Sequence, residues 1–297
     1  MPTYAFVTLD VFTERRFGGN PLAVFTDARG LSDGQMQALA AEFNLSETTF
    51  VLPPKDPANT ARVRIFNRTA EMPFAGHPNV GTGFVLAGQG RDREGVLRFE
   101  EIAGLVEVRV ARDTGGQLAG AVIDATRPLA LGPELTAAQV ATCLGIDPAG
   151  VVTSAHAPVQ ASVGVDFFFA QVTPQALGRA GPDLAGFRRV AAATDTGSDR
   201  LSLFVYAPDA DGKTVRARMF APLSGTFEDA ATGSASATLA ALRLSLTSDA
   251  ETSFEIIQGV EMGRPSRLSV SARRASNGIR ASVGGGCVPV FRGEATL

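Results

Sequence analysis

The sequence predicts an α+β protein of two similar halves, each with strands wrapped round a central helix of small residues. Three observations predict it. The chain has 297 residues, room for two domains at roughly 150 residues each. RVRIF at 62–66 returns as RARMF at 216–220, and PFAGHPNVGTGFVLA at 73–87 returns as EDAATGSASATLAAL at 228–242. Each copy reads strand, turn, then a helix opening at a glycine. Two copies roughly 155 residues apart describe a duplicated domain, since a solenoid needs about three or more short repeats. Finally, Gly81 and Gly83 fall inside the first of these helices, where each costs about 1 kcal/mol relative to Ala. Very close packing of strands against that helix would offset the cost.

The elements follow in order. Residues 3–12 and 20–26 read as strands joined by a turn containing Gly18, Gly19 and Asn20. A helix follows, opened by Ser32 and Gln35 as a capping box, with Met36, Leu39, Ala40 and Phe43 on one face. Asn44 stands at its end, where a left-handed conformation is tolerated. Strands are predicted at 47–52 and 60–67, the second alternating Val63 and Ile65 with Arg62 and Arg64. The turn from Glu71 to Gly76 leads into the glycine-containing helix, which starts near His77 and Pro78; proline is tolerated in a first helical turn. Strands near 95–101, 104–111 and 119–125 complete the wrap. Residues 127–135, RPLALGPEL, read as a connector, after which the pattern recurs.

Bulk properties exclude several function classes. Lys and Arg number 27 against 30 Asp and Glu, a net charge of −3, which argues against the clustered cations that bind nucleic acid. The start, MPTYAFVTLDVF, alternates like a strand and lacks a signal peptide's basic and apolar regions. No segment approaches the roughly 20 apolar residues of a membrane helix. Two cysteines, Cys143 and Cys287, are too few for a disulfide framework; both read as ordinary semi-buried residues. A cytoplasmic protein without membrane partner is expected. With two histidines and no close ligand pair, no metal is expected. His156 reads as structural or exposed. Nucleotide-binding loops of the G-x-x-x-x-G-K or G-x-G-x-x-G type do not occur.

A helix N-terminus presents unpaired N–H groups and partial positive charge to an anion. The two matched ones, at Gly76–His77 and Gly233–Ser234, would form a carboxylate cradle if they faced each other, at about 0.3–2 kcal/mol per helix end. The side chains of His77 and Ser234 would add donors. Glu47 places a carboxylate just after a helix, at the entrance to a strand. Taken alone, such a residue is more often a solvated turn glutamate.

NLSETTF at 44–50, EMPFAGHP at 71–78, MFAP at 219–222, EDAATGSA at 228–235 and QGVEMGRPS at 258–266 resemble, in order, the signature runs of the PhzF-like phenazine-biosynthesis isomerase family. The resemblance covers nearly the whole chain. It implies the diaminopimelate epimerase-like fold, two pseudo-symmetric domains that each wrap a β-barrel around a central helix. The domains would be 1–126, completed by 284–297, and 127–283. It implies Glu47, His77, Asp229 and Ser234 as the catalytic set, with Gly76, Gly233 and Ser46 binding substrate. In such enzymes the glutamate takes a proton from one carbon and returns it to another, without cofactor or metal. The implied substrate is a small carboxylic acid, trans-2,3-dihydro-3-hydroxyanthranilate or a relative, and the implied assembly a homodimer. Two departures stand out: Ala230 replaces a proline, and Asn79 stands where Thr is common, which would alter pocket polarity. The QGVEMGRPS run reads as structural, without a physical role visible in the sequence.

Related epimerases carry a thiol before each helix-opening glycine; Ala75 and Thr232 stand there, which excludes a two-thiol mechanism at those positions. A serine-type hydrolase using Ser234, His77 and Asp229 is the first alternative, weakened by the lack of a G-x-S-x-G elbow and because a triad is defined by geometry rather than residue types. A non-catalytic small-molecule binding protein is the second.

Overall fold

A computed structural model describes residues 1–194 and 201–297 of the chain. These divide into two compact units, Met1–Thr126 with Val283–Leu297, and Arg127–Ser282.

The first unit contains β1 (Thr3–Val11), β2 (Asn20–Phe25), α1 (Asp33–Phe43), β3 (Glu47–Leu52), β4 (Ala61–Phe66), β5 (Glu71–Met72), α2 (Gly76–Gly88), β6 (Val96–Glu101), β7 (Gly104–Arg112) and β8 (Leu118–Asp124). The C-terminal strand Gly278–Thr296 lies antiparallel to β1 from Val11 opposite Cys287 to Thr3 opposite Thr296. It also pairs with β8. Around the ring the pairings run antiparallel β1–β2, parallel β2–β3, antiparallel β3–β4, parallel β4–β6, then antiparallel β6–β7 and β7–β8. Eight strands therefore close a barrel, which leaves no open edge for foreign pairing. Helix α2 threads it, buried along nearly its whole length.

The glycines explain how a helix fits there. A Cβ on Gly81 would lie 2.6 Å from Leu22 and 2.8 Å from Val11, and one on Gly83 would lie 2.5 Å from Val108. Strand side chains occupy that space, and their packing offsets the poor helix propensity of glycine. Helix α1 packs outside the barrel. Its capping box of Ser32 and Gln35 forms, and Asn44 takes φ 53° at its end. Met36, Leu39 and Ala40 join Phe25, Phe50 and Phe66 in one apolar cluster, with Phe43 against it.

The second unit contains β9 (Ala130–Glu134), α3 (Ala137–Leu144), β10 (Val151–Val152), β11 (Val159–Ser162), β12 (Asp166–Val172), α4 (Pro174–Arg179), α5 (Leu184–Ala193), β13 (Leu203–Pro208), β14 (Thr214–Ala221), β15 (Thr226–Asp229), α6 (Gly233–Ser245), β16 (Glu251–Gln258), β17 (Ser266–Ala275) and the start of β18, the strand Gly278–Thr296. Its pairings repeat those of the first unit: antiparallel β9–β11 and β11–β12, parallel β12–β13, antiparallel β13–β14, parallel β14–β16, antiparallel β16–β17. Helix α6 packs against β11, β12, β16 and β17, as α2 does in its own barrel. The duplicated α+β architecture expected from the sequence is thus the observed one.

The segment read as a connector differs from expectation. Residues Ala130–Glu134 form an exposed strand paired with β11. Gly132 and Pro133 mask it in sequence, but the register shifts opposite them, between Val159 and Ala161, and proline is accommodated at such an irregularity. The two cysteines are more deeply placed than expected: Cys143 and Cys287 are both buried. Burial pushes the Cys143 thiol up to about 12, and raises that of Cys287 as well. His156 is structural, its Nε2 2.7 Å from the hydroxyl of Tyr206 and its Nδ1 2.6 Å from the carbonyl of Ala157. No helix among the described residues is long and apolar enough to cross a membrane.

Candidate active site

In the first unit the chain delivers Glu47 at the first position of β3, three residues beyond the left-handed Asn44 that ends α1. His77 is the second residue of α2 and is buried. Their side chains meet: Nδ1 of His77 lies 3.2 Å from Oε2 of Glu47. The Glu47 side chain is only 17% exposed, and burial pushes its carboxyl from 4.5 up to about 7. The Ser46 hydroxyl and the charge of Arg68 both favour the ionised form, and desolvation outweighs them. Ser46 also reaches Oδ1 of Asn20 at 3.1 Å. The contact is a hydrogen bond in either sense: a protonated carboxyl can donate to the imidazole, or an imidazole N–H to the carboxylate.

Capping chemistry sets the two central helices apart. Helices α1, α3, α4 and α5 each have an N-cap side chain that accepts from the first turn: Ser32, Thr136, Thr173 and Asp183. Helices α2 and α6 begin at Gly76 and Gly233 after Ala75 and Thr232, and neither receives a side-chain cap. Ala75 has no group to offer. Thr232 has one, but its hydroxyl donates to Oδ2 of Asp229 at 2.7 Å. First-turn N–H groups without a side-chain acceptor suit an anion from elsewhere.

In the second unit Asp229 ends β15, and Ser234, half-buried, is the second residue of α6, the counterpart of His77 in the duplication. Between them the turn Asp229–Thr232 is held by residues from the QGVEMGRPS run. Oε1 of Gln258 accepts from the Thr232 backbone N–H at 3.1 Å, while its Nε2 donates to the Asp229 carbonyl at 2.8 Å and to Oγ1 of Thr232 at 3.1 Å. Ser266 donates to the carbonyl of Ala230 at 2.9 Å. Gly259 has φ +72°, and a Cβ there would meet the Arg264 and Ala230 carbonyl oxygens at 2.5 and 2.6 Å. The run that sequence left without a role is thus the scaffold of this turn. Thr232 and Gln258 were missed because a hydrogen bond across 26 residues has no local signature.

The two departures from the family pattern have structural consequences. Ala230 keeps the carbonyl that Ser266 uses, so the turn does not depend on a proline there. Asn79 is fully buried and donates from Nδ2 to the carbonyl of Ala75 at 3.0 Å, and the same amide lies beside the Glu101 carboxyl. A groove of about 690 Å³ in the first unit is lined by Lys55, Arg62, Glu100, Glu101, Ile102 and Leu105 among others, and includes none of the predicted site residues. Among the described residues no group of three or more His, Cys, Asp or Glu could hold a metal ion.

Residues 9–293 match the family described as phenazine biosynthesis-like protein. An uncharacterized isomerase of Mesorhizobium japonicum is 36% identical over 301 residues, covering 99% of this chain and 99% of its own. The trans-2,3-dihydro-3-hydroxyanthranilate isomerase of Pseudomonas fluorescens is likewise 36% identical, over 304 residues, covering 98% of this chain and 99% of its own. Among solved structures, a PhzF-family phenazine biosynthesis protein from Bacillus anthracis covers 100% of both chains with a TM-score of 0.88 at 23% identity. That likeness bears on the fold alone.

Proposed function

This chain belongs to the phenazine biosynthesis-like protein family and is an isomerase, and on that premise we propose that Glu47 moves a proton between two carbons of a small carboxylic acid. The observation that carries the proposal is the enclosed Glu47 carboxyl, raised to about 7 with His77 Nδ1 3.2 Å away. A group that must both take and return a proton works best when its pKa lies near the working pH.

The proposed cycle balances without a cofactor. Ionised Glu47 removes a proton from one carbon, and the C–H electron pair shifts into the conjugated system of the substrate. The terminal carbon of that system then takes the proton back from Glu47. His77 holds the carboxyl at the Oε2 edge in either protonation state. Asp229 and Ser234 are assigned substrate-orienting roles, Gly76 and Gly233 backbone donors for the substrate carboxylate, and Ser46 a polar contact beside Glu47. The substrate proposed is trans-2,3-dihydro-3-hydroxyanthranilate or a closely related acid, the substrate in the name of the Pseudomonas fluorescens relative.

Turnover in deuterium oxide tests this reading. The expected product is isomerised and carries deuterium at its new C–H position, since a carboxyl proton exchanges with water between the two steps. Glu47→Gln should retain the fold and lower the rate by about 10²–10⁴-fold. A variant that keeps more than about a tenth of wild-type turnover rules out Glu47 as the acid–base.

A further inference from the structure

Gln258 is fully buried at the end of β16, and every polar atom of its side chain is spent on the turn that carries Asp229. The carboxamide fits in one orientation. Oε1 faces the Thr232 N–H and Nε2 faces the Asp229 carbonyl; a flip would set oxygen against oxygen and N–H against N–H. This orientation decides the next bond as well. An amide NH₂ only donates, so the Thr232 hydroxyl accepts from Gln258 and has one proton left to give. That proton goes to Oδ2 of Asp229 at 2.7 Å.

We propose that Gln258 is a positioning residue of the second half of the site, acting through Thr232 to fix the carboxylate of Asp229 as an acceptor toward substrate. The inference rests on the reading that Asp229 belongs to the site. A buried, fully satisfied network of this kind specifies one arrangement, and a half-satisfied one does not. Ser266 serves the same end by donating to the Ala230 carbonyl, and Gly259 by leaving room for that carbonyl where a Cβ would collide with it. The duplication adds a second argument. Arg62 stands opposite Glu100, and Arg216 opposite Ile257, so the residues one step on, Glu101 and Gln258, are counterparts. Each half thus places a carboxyl or carboxamide at this strand end, and only the half with Asp229 has the residue that donates at every pH.

The discriminating variant is Gln258→Glu, because it keeps the shape and the acceptor and supplies a donor only when protonated. We expect kcat/KM of Gln258→Glu relative to wild type to be down by about 10–100-fold at pH 8, and to recover as pH falls toward 5. Thr232→Val should lose activity without that recovery, and Thr232→Ser should keep it. A Gln258→Glu to wild-type ratio flat across this pH range would overturn the proposal, and so would a loss of activity that merely tracks the loss of folded protein as the buried glutamate ionises. If wild-type protein turns over none of the acids offered, the isomerase assignment of the site fails instead. Positioning is then read by carbon-13 NMR of the Asp229 carboxyl. Its midpoint should move to higher pH in Thr232→Val and Gln258→Glu, since a carboxylate losing a donor is less stabilised. An unmoved midpoint in both variants overturns it.

Discussion

Arg64 grips Glu71 at two points, Nε to Oε1 and Nη2 to Oε2, both at 2.6 Å. In the second unit Arg218 grips Glu228 in the same manner at 2.7 and 2.8 Å. Each arginine also lies over the phenylalanine two residues on, Phe66 at 5.1 Å and Phe220 at 4.9 Å. Each glutamate stands five positions before a helix-opening glycine, Gly76 or Gly233. The duplicated motif is therefore a clamp that fixes the strand-to-helix turn of each half. Planar, two-point pairing is a property of arginine that lysine does not share.

The two clamps differ in burial, which predicts unequal costs. The side chains of Arg218 and Glu228 are 8% and 15% exposed, those of Arg64 and Glu71 17% and 24%. Arg218 also donates to the carbonyls of Leu177 and Ala180. Glu228→Gln should destabilise the fold by about 3–5 kcal/mol, as when one partner of a buried pair is removed. Glu71→Gln should lose less. Urea unfolding of the two variants gives the comparison, and equal losses would contradict it.

Gly83→Ala tests why a glycine-rich helix lies in a barrel. Helix propensity alone favours the alanine by about 1 kcal/mol. Its Cβ, however, would lie 2.5 Å from Val108 Cγ1, and overpacking typically costs about 1–3 kcal/mol. The net effect expected is destabilisation, relieved when Val108→Ala is combined with it. A stabilised single variant would show that the barrel has room to give.

Stability should fall as pH rises, for a stated reason. Burial pushes Glu47 from 4.5 to about 7, and Glu101 from 4.5 to about 8 despite the nearby Asn79 amide. The folded state then holds these protons more tightly than the unfolded chain, so their contribution is full below about pH 4.5 and is lost as pH rises through 7 to 8. At about 1.4 kcal/mol per pH unit, Glu47 alone accounts for roughly 3 kcal/mol across that window. Glu47→Gln and Glu101→Gln should each flatten the pH–stability curve and be more stable than wild type at pH 8. A wild-type curve that rises from pH 5 to 8 would contradict the protonated burial of these groups.

The thiols should be silent. Cys143 and Cys287 are buried and their thiols raised, and the thiolate is the reactive form. Native protein should resist a thiol reagent at pH 8 while unfolded protein takes up two equivalents. Replacement of both by Ser or Ala should leave turnover largely intact, whereas loss of activity on alkylation of native protein would revive thiol chemistry.

Much of the fold was legible because its signals are local. The capping box at Ser32 and Gln35, the left-handed Asn44 and the alternation at 62–66 each follow from hydrogen bonding or periodicity within a few residues. The repeat was legible for the same reason, since a strand, a turn and a helix in one order survive duplication as a string. The strand Ala130–Glu134 was not, because its pairing with β11 outweighs the glycine and proline that mark it as a loop.

The candidate site divides along the same line. By itself the sequence determined the family resemblance and the residue types at Glu47, His77, Asp229 and Ser234. It also determined that no thiol precedes either helix-opening glycine. Only the tertiary structure decided that Glu47 is enclosed against His77, that the Thr232 hydroxyl is turned to Asp229, and that Gln258 orients it. A carboxyl's pKa is set by the water it loses and the groups that surround it. A buried amide's role is likewise set by the partners folding brings to it. Neither is written in the residues next along the chain.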